Sequence, residues 1–275
     1  LTGEGSSRVC IEPHRVRALL ESKGYKFQRQ VVSFQMLKGG VAKTTSALNF
    51  AWRASMYGAR VLMLDLDQQA NLTFAAGQDA EELPVWIDIL EKKTKIEDSI
   101  IQIEDGLDLI PSSLNNSVLD RFLISSHRNW AQAVRGPLKE VLPRYDLVVI
   151  DTAPSLSAIN TAVTCASDQI VLPINPDRFS VLGAKKHIQD LEELRKEFEL
   201  KFKTRLLFTR YDGRESSSRE IFTQCIESFD HLLMKNYIRT SSELKNSIAT
   251  GKTVFSTKNA AHEDYDLVTR ELLGF

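Results

Sequence analysis

Lys38-Gly39-Gly40-Val41-Ala42-Lys43-Thr44-Thr45 gathers lysines, glycines and hydroxyls into one short run. The chemistry these residues share is phosphate binding. Val31, Val32, Phe34, Met36 and Leu37 precede the run as an apolar stretch, and Ala47, Leu48, Phe50, Ala51 and Ala54 follow it at helical spacing. A strand, a glycine turn and a helix start in that order aim several backbone N–H groups at one point, backed by the positive end of the helix dipole. Lys43-Thr44 matches the end of a P-loop, where the lysine reaches the β- and γ-phosphates and the threonine hydroxyl ligates Mg²⁺. The ordinary spacing asks for a glycine near position 37. Leu37 stands there instead, and a second lysine, Lys38, occupies the loop entrance.

Two acidic strand ends complete the set. Val61-Leu62-Met63-Leu64-Asp65-Leu66-Asp67 is an apolar run closing on two carboxylates. Side chains two residues apart on a strand point the same way, so Asp65 and Asp67 share a face. With that strand beside the P-loop strand, both acids would open at the carboxyl end, where open α/β sheets hold ligands. Leu147-Val148-Val149-Ile150-Asp151 is an apolar strand ending in an acid, the Walker B pattern, and Asp151 is placed to hold Mg²⁺ through water. Phosphoryl transfer needs positioning and charge compensation more than covalent chemistry. The loop amides and Lys43 for the phosphates, Thr44 and Asp151 for Mg²⁺, and Asp67 for the attacking water make a sufficient set for ATP hydrolysis. Lys38 has no obvious job within one subunit on this reading, because Lys43 already fills the cradle.

The elements that must position these groups alternate along the chain. Segments 31–36, 61–65, 107–110, 147–150, 170–174 and 206–209 read as strands; 46–57, 116–123, 130–142, 182–198, 217–229, 243–249 and 263–273 read as helices. That order predicts an α/β fold, a mostly parallel twisted sheet with helices on both faces, over residues 30–275. Residues 1–29 stand outside the alternation, with Pro13–Ser22 fitting a short helix, and read as an amino-terminal arm that packs on the domain or as the remnant of a DNA-binding or dimerisation segment. The chain opens on Leu1 rather than methionine, as a chain with an upstream portion would. A net charge of −1 gives no global basic field, so any nucleic-acid contact must come from a local patch. Cys10, Cys165 and Cys225 are isolated, without metal-ligand spacing, and read as incidental thiols of a reducing cytoplasm. No apolar stretch approaches the ~20 residues that span a bilayer.

A lysine at the loop entrance with paired glycines close behind resembles the deviant Walker A motif of the ParA/MinD ATPases. Gly106-Leu107-Asp108-Leu109-Ile110-Pro111-Ser112-Ser113, Leu172-Pro173-Ile174-Asn175-Pro176-Asp177 and Phe208-Thr209-Arg210-Tyr211-Asp212 resemble later elements of ParA proteins, so the likeness covers nearly the whole chain. It implies ATP and Mg²⁺ as cofactors, with Gly39, Gly40, Val41, Ala42, Thr45 and Asp65 beside the loop lysines at the nucleotide and Pro176 and Asp212 bordering the adenine. It also implies an ATP-dependent homodimer in which Lys38 reaches the partner's nucleotide and joins Lys43 and Asp67 in catalysis. Two positions depart from the family: Ala42 replaces the commoner glycine, disfavouring a left-handed backbone there, and Gln68 stands where proline is usual.

Within the family the chain resembles ParA rather than its relatives. Its tail completes a helix of mixed charge, unlike the basic amphipathic membrane helix of MinD. Its cysteines do not supply the cluster ligands of the nitrogenase iron protein. ParA proteins bind double-stranded DNA without sequence preference, through basic side chains on phosphates. Candidates are Lys185, Lys186, Arg210, Arg214, Arg219, Arg239, Lys245 and Lys252, interleaved with Asp190, Glu192, Glu193, Glu215 and Glu243 as in a solvated mixed face. Glu243 falls close to where some relatives place a DNA-contacting arginine. The resemblance implies a nucleoid-associated ATPase that partitions a plasmid or chromosome region with a ParB-like partner and uses no membrane. A positioning ATPase for a protein cargo and a nucleotide-switched DNA-binding regulator are the alternatives.

Overall fold

In the computed structural model, residues 11–126, 129–244, 253–256 and 259–275 are described. Seven strands form one sheet: β1 Gln30–Phe34, β2 Val61–Asp65, β3 Ile101–Glu104, β4 Leu107–Ile110, β5 Leu147–Asp151, β6 Gln169–Ile174 and β7 Lys203–Phe208, in the order β3-β4-β2-β5-β1-β6-β7. All neighbours run parallel except the edge strand β3, which is antiparallel to β4. The near-continuous apolar sequences of β2, β5 and β6 explain this, because a parallel sheet covered on both faces buries every residue of its inner strands.

Alternation along the strands sorts their side chains to the two sides. Val149 and Met63 pack with α2 (Lys43–Met56) and the carboxyl-terminal helix Ala260–Leu273, while Val148, Leu62 and Leu64 pack with Trp86 and Val163 on the opposite face. A third cluster joins Ile170, Leu172 and Leu206 to Ala184 and Leu191. The apolar side of the carboxyl-terminal helix, with Tyr265 and Val268, is spent on this core. Among the described residues, no helix is long and apolar enough to cross a membrane.

One expectation about neighbours changes. β2 does not lie beside the phosphate-loop strand; β5 sits between them, with Asp65 in register with Asp151. Strand order is set by crossovers, which no local pattern reports. Some helix boundaries also shift. The helix expected from 182 begins at Arg178, because Asp177 caps it by accepting from Ser180 N at 2.9 Å. The 130–142 pattern splits into Trp130–Ala133 and Arg135–Val141. Asn71–Ala75, Trp86–Leu90, Ala158–Ala166 and β3 were not foreseen. Most of the 243–249 pattern lies outside the described residues.

The described part of the amino-terminal extension is a packed arm. α1 (Pro13–Ser22) lies against Gly58, where a Cβ would meet Arg17 Cβ and Pro13 O at 2.5 Å and where φ is +90°. Arg17 donates to Asp146 at 2.6 Å and to the Gly58 carbonyl at 3.0 Å, and Arg60 donates to the same carboxylate at 3.0 Å. Downstream, Tyr25 donates to Leu273 O at 2.9 Å and stacks edge-on with Phe275, which also meets Tyr57. The arm thus ties the amino-terminal strand ends to the carboxyl terminus.

Burial alone would raise the Asp146 carboxyl, but hydrogen bonds from Arg60 and Arg17 hold it well below its ordinary value of 3.8. A depressed folded-state value contributes stability that is complete above the unfolded value and drains as pH falls through it. Asp146→Asn should therefore cost about 2 kcal/mol at pH 7, below the roughly 3–5 kcal/mol of a fully buried pair because Arg60 is half-exposed. In urea melts the gap to wild type should narrow steadily as pH is lowered below about 4.

Candidate active site

The phosphate loop leaves β1 at the centre of the sheet and enters α2. Gly40 and Ala42 both adopt left-handed backbone, at φ +73° and +71°. Gly40 is suited to that conformation; Ala42 takes it despite its methyl group, the strain its sequence foretold. Neither Gly39 nor Gly40 has a heavy atom within 4 Å of where a Cβ would stand, so the glycines face open space rather than neighbouring protein. Among the described residues, no protein acceptor meets the backbone N–H groups from Gly39 to Thr45; the ladder of α2 begins with Ser46 N donating to Ala42 O. Unpaired amides around this open hollow at a helix start form an anion site. Val41 is buried against Met36 and Ile174, which anchors the loop.

Lys43 is nearly buried at the first turn of α2. Burial lowers its pKa, and the charges of Asp151 and Asp67 oppose that shift. Thr44 donates its hydroxyl to Asp151 Oδ2 at 2.6 Å, while Asp151 Oδ1 is buried without a hydrogen-bond partner. Burial chiefly, and the Asp65 carboxylate beside it, push the Asp151 carboxyl above the ordinary range. A threonine hydroxyl and an orphaned carboxylate oxygen are hard donors of the kind Mg²⁺ takes, so the residues present fit that ion.

Asp65 plays a different part. Its Oδ2 accepts from Thr73 N at 2.9 Å and Thr73 Oγ1 at 2.8 Å, and its Oδ1 accepts from Asp67 N at 3.1 Å. It holds the turn that carries Asp67, rather than facing the hollow with free oxygens. Asp67 is also buried, accepting from Gln69 N at 3.0 Å. The structure thus brings together Lys43, Thr44, Asp151 and Asp67, with Asp65 behind them.

Lys38 does have a role within one subunit, which corrects the sequence expectation. Its ammonium lies 2.6 Å from Asp177 Oδ1 and 3.2 Å from Ser180 Oγ, at the start of α9 (Arg178–Glu197). The signal was an Asp-x-x-Ser cap just before a helical pattern. Pro176 stands in the same turn. Asp212 is engaged by Arg214 through bonds of 2.9 and 2.6 Å and organises its own turn. Two further residues escaped the sequence reading: Asn175 Nδ2 donates to Gly40 O at 3.1 Å, and Thr209 Oγ1 lies 3.3 Å from Val41 O.

The basic candidates are scattered and mostly committed. Arg214 pairs with Asp212, Arg239 with Asp264 at 2.7 Å, and Lys186 with Asp190 at 2.8 Å; Arg219 donates to Gly213 O. Lys185 is exposed, and Lys245 and Lys252 lie outside the described residues. Cys165 and Cys225 are buried thiols, each pushed up to about 11 by burial, and Cys10 lies outside the described residues.

The family model for the AAA domain matches residues 29–204. A ParA family protein of Chlamydia trachomatis is 31% identical over 254 residues, spanning 89% of this chain and 97% of its own length. The chain belongs to the ParA family. A second ParA family protein, from Mycoplasma genitalium, is 30% identical over 267 residues, covering 89% of this chain and 97% of that protein. Solved structures share the fold. Apo McdA from Cyanothece superposes with a TM-score of 0.82 at 23% identity, over 90% of this chain and all of that one. A putative plasmid partition protein from Borrelia burgdorferi bound to AMPPNP gives 0.75 at 22% identity, over 90% and 99%. Cobyrinic acid a,c-diamide synthase from Mycobacterium smegmatis, with an ATP analogue and magnesium, gives 0.78 at 23%, over 89% and 94%. This ParA family chain is accordingly a P-loop ATPase of the ParA/MinD type.

Ala42 offers a direct check on the loop. A left-handed residue with a Cβ costs about 1–2 kcal/mol, part of which glycine returns through its freer unfolded chain. Ala42→Gly should raise stability by roughly 0.5–1 kcal/mol in chemical denaturation and leave uptake of ATP intact.

Proposed function

We propose that this chain is a Mg²⁺-dependent ATP hydrolase that closes into a dimer around ATP, binds DNA without sequence preference, and partitions a plasmid or chromosome region with a ParB-like partner. The observation that carries this reading is the run of unpaired amides from Gly39 to Thr45, next to Lys43, Thr44 and the orphaned oxygen of Asp151. The amides and Lys43 bind and orient the triphosphate. Thr44 and Asp151 would hold Mg²⁺, which when bound neutralises charge on the phosphate oxygens. Asp67, kept in place by Asp65 and Gln69, orients the attacking water.

The surroundings of the phosphate loop support dimerisation. Lys38 is parked on Asp177 at the surface, about a third exposed, so it can trade that carboxylate for a phosphate on a second copy. Phe179 and Leu182 on the first turns of α9 and Leu156 in the loop after Asp151 are large apolar side chains left in solvent, 78%, 63% and 67% exposed. A second copy seated on the nucleotide would cover them. DNA binding would place the chain on the nucleoid; it would draw on Lys185 and require partial opening of pairs such as Lys186–Asp190.

Analytical ultracentrifugation tests the reading. Wild type should dimerise with ATP and Mg²⁺ but not with ADP, and Lys38→Ala should stay monomeric while still taking up nucleotide. Random duplex DNA should bind only the ATP-loaded form, with affinity falling steeply between 50 and 200 mM salt, values of the order used for phosphate-contacting proteins. Dimerisation of Lys38→Ala equal to wild type would remove the cross-subunit lysine. DNA binding indifferent to nucleotide and salt would remove the nucleoid role.

A further inference from the structure

Asn175 and Thr209 stand just past the ends of neighbouring strands β6 and β7; Asn175 donates to the phosphate loop at Gly40 O, and Thr209 stands behind it with Oγ1 2.8 Å from Asn175 Oδ1. In a trans peptide, the carbonyl of one residue and the N–H of the next point opposite ways. No cis peptide is present in the described chain. Drawing Gly40 O towards Asn175 therefore turns Val41 N–H the other way, towards the open side of the loop. We propose that Asn175 and Thr209 are positioning residues that set the phosphate loop in its binding conformation before nucleotide arrives. The inference rests on the ATP-binding reading above and names what prepares that site.

The pair is built as a unit. Thr209 is fully buried and Asn175 nearly so. The single Thr209 hydroxyl proton has three acceptors in range: Asn175 Oδ1 at 2.8 Å, Ile174 O at 3.0 Å and Val41 O at 3.3 Å. Donation to the nearest, the Asn175 amide oxygen, fixes which end of that amide is the donor and leaves Nδ2 facing Gly40 O. Asp177, two residues on, holds Lys38. The turn from Asn175 to Asp177 thus grips the loop at its entrance and again at Gly40. Thr209, on the next strand, locks the grip.

The test uses the full chain, Mg²⁺ and a fluorescent ATP analogue. Thr209→Val keeps the shape and removes the hydroxyl; Thr209→Ser keeps the hydroxyl. Thr209→Val should weaken analogue binding by about 10–100-fold, the range seen when partners that orient a binding group are lost, and Thr209→Ser should bind as wild type. Asn175→Leu should match Thr209→Val, and the double variant should be no worse than either, because the two act through one contact chain. Tryptic cleavage after Lys38 in the nucleotide-free protein should quicken in Thr209→Val at an unchanged melting temperature. If Thr209→Val melts early, Asn175→Leu carries the same comparisons.

Equal binding by Thr209→Val and wild type overturns the inference, as does a serine variant as weak as the valine one. Failure of wild type itself to bind the analogue would overturn the proposed function instead. The cleavage measurement would then still decide the clamp, with an unchanged rate at Lys38 counting against it.

Discussion

An amide with no acceptor in a folded chain is an unmet electrostatic demand, and here a run of them lies past the carboxyl end of the inner strand β1. Much of the surrounding architecture keeps that run open. β1 lies between β5 and β6, so both sides of the loop's root are held by strands, and Thr152 donates to Phe34 O at 2.9 Å where the loop begins. At the far end, Asn49 donates to Thr45 O at 2.8 Å and Ser46 meets the buried Tyr265 at 3.1 Å. The backbone bonding of the loop, from Gly39 to Thr45, is confined to its carbonyls.

The carboxylates repeat the theme on the neighbouring strand ends. β2 and β5 place Asp65 and Asp151 side by side in register, both wholly buried, and burial raises the pKa of each. Asp65 is compensated by three hydrogen bonds from Thr73 and Asp67, and Asp151 by one, from Thr44. The shortfall falls on the residue nearest the hollow. Such a site gains stability when filled: a ligand that binds only the folded state adds about 2.7 kcal/mol at a hundredfold excess over its Kd.

What could be read from the chain was whatever is local. Glycines followed by Lys43-Thr44 between an apolar run and a helical pattern, and acids ending apolar strands, are spacings of a few residues, and the loop, Asp67 and Asp151 came together as those spacings implied. What could not be read was pairing across the fold. That β5 separates β1 from β2 depends on crossover order. That Arg239 is spent on Asp264, 25 residues away, depends on side-chain neighbours. Asn175 and Thr209 gave no signal because a polar residue just past a strand end is ordinary; only the approach of the loop carbonyls gives the two a task. The Leu156, Phe179 and Leu182 side chains were equally silent, since apolar residues in a sequence do not announce that they will stay in solvent.

Lys38 shows how a weak interaction can suit a switch better than a strong one. Its pair with Asp177 is about a third exposed on each side, and exposed pairs are worth roughly 0–1 kcal/mol. Leaving it therefore costs little. Asp177 does not become an orphan when the lysine departs, because it still accepts from the Ser180 amide and hydroxyl at 2.9 and 2.7 Å and continues to cap α9. A triphosphate offers more negative charge than one carboxylate, so on the proposed dimeric reading the exchange would run towards the nucleotide once one is within reach. Holding the ammonium at the surface on a cheap contact also keeps it out of its own subunit's cradle, where Lys43 already stands. On the proposed reading, the geometry that parks Lys38 would also leave it available to a second copy.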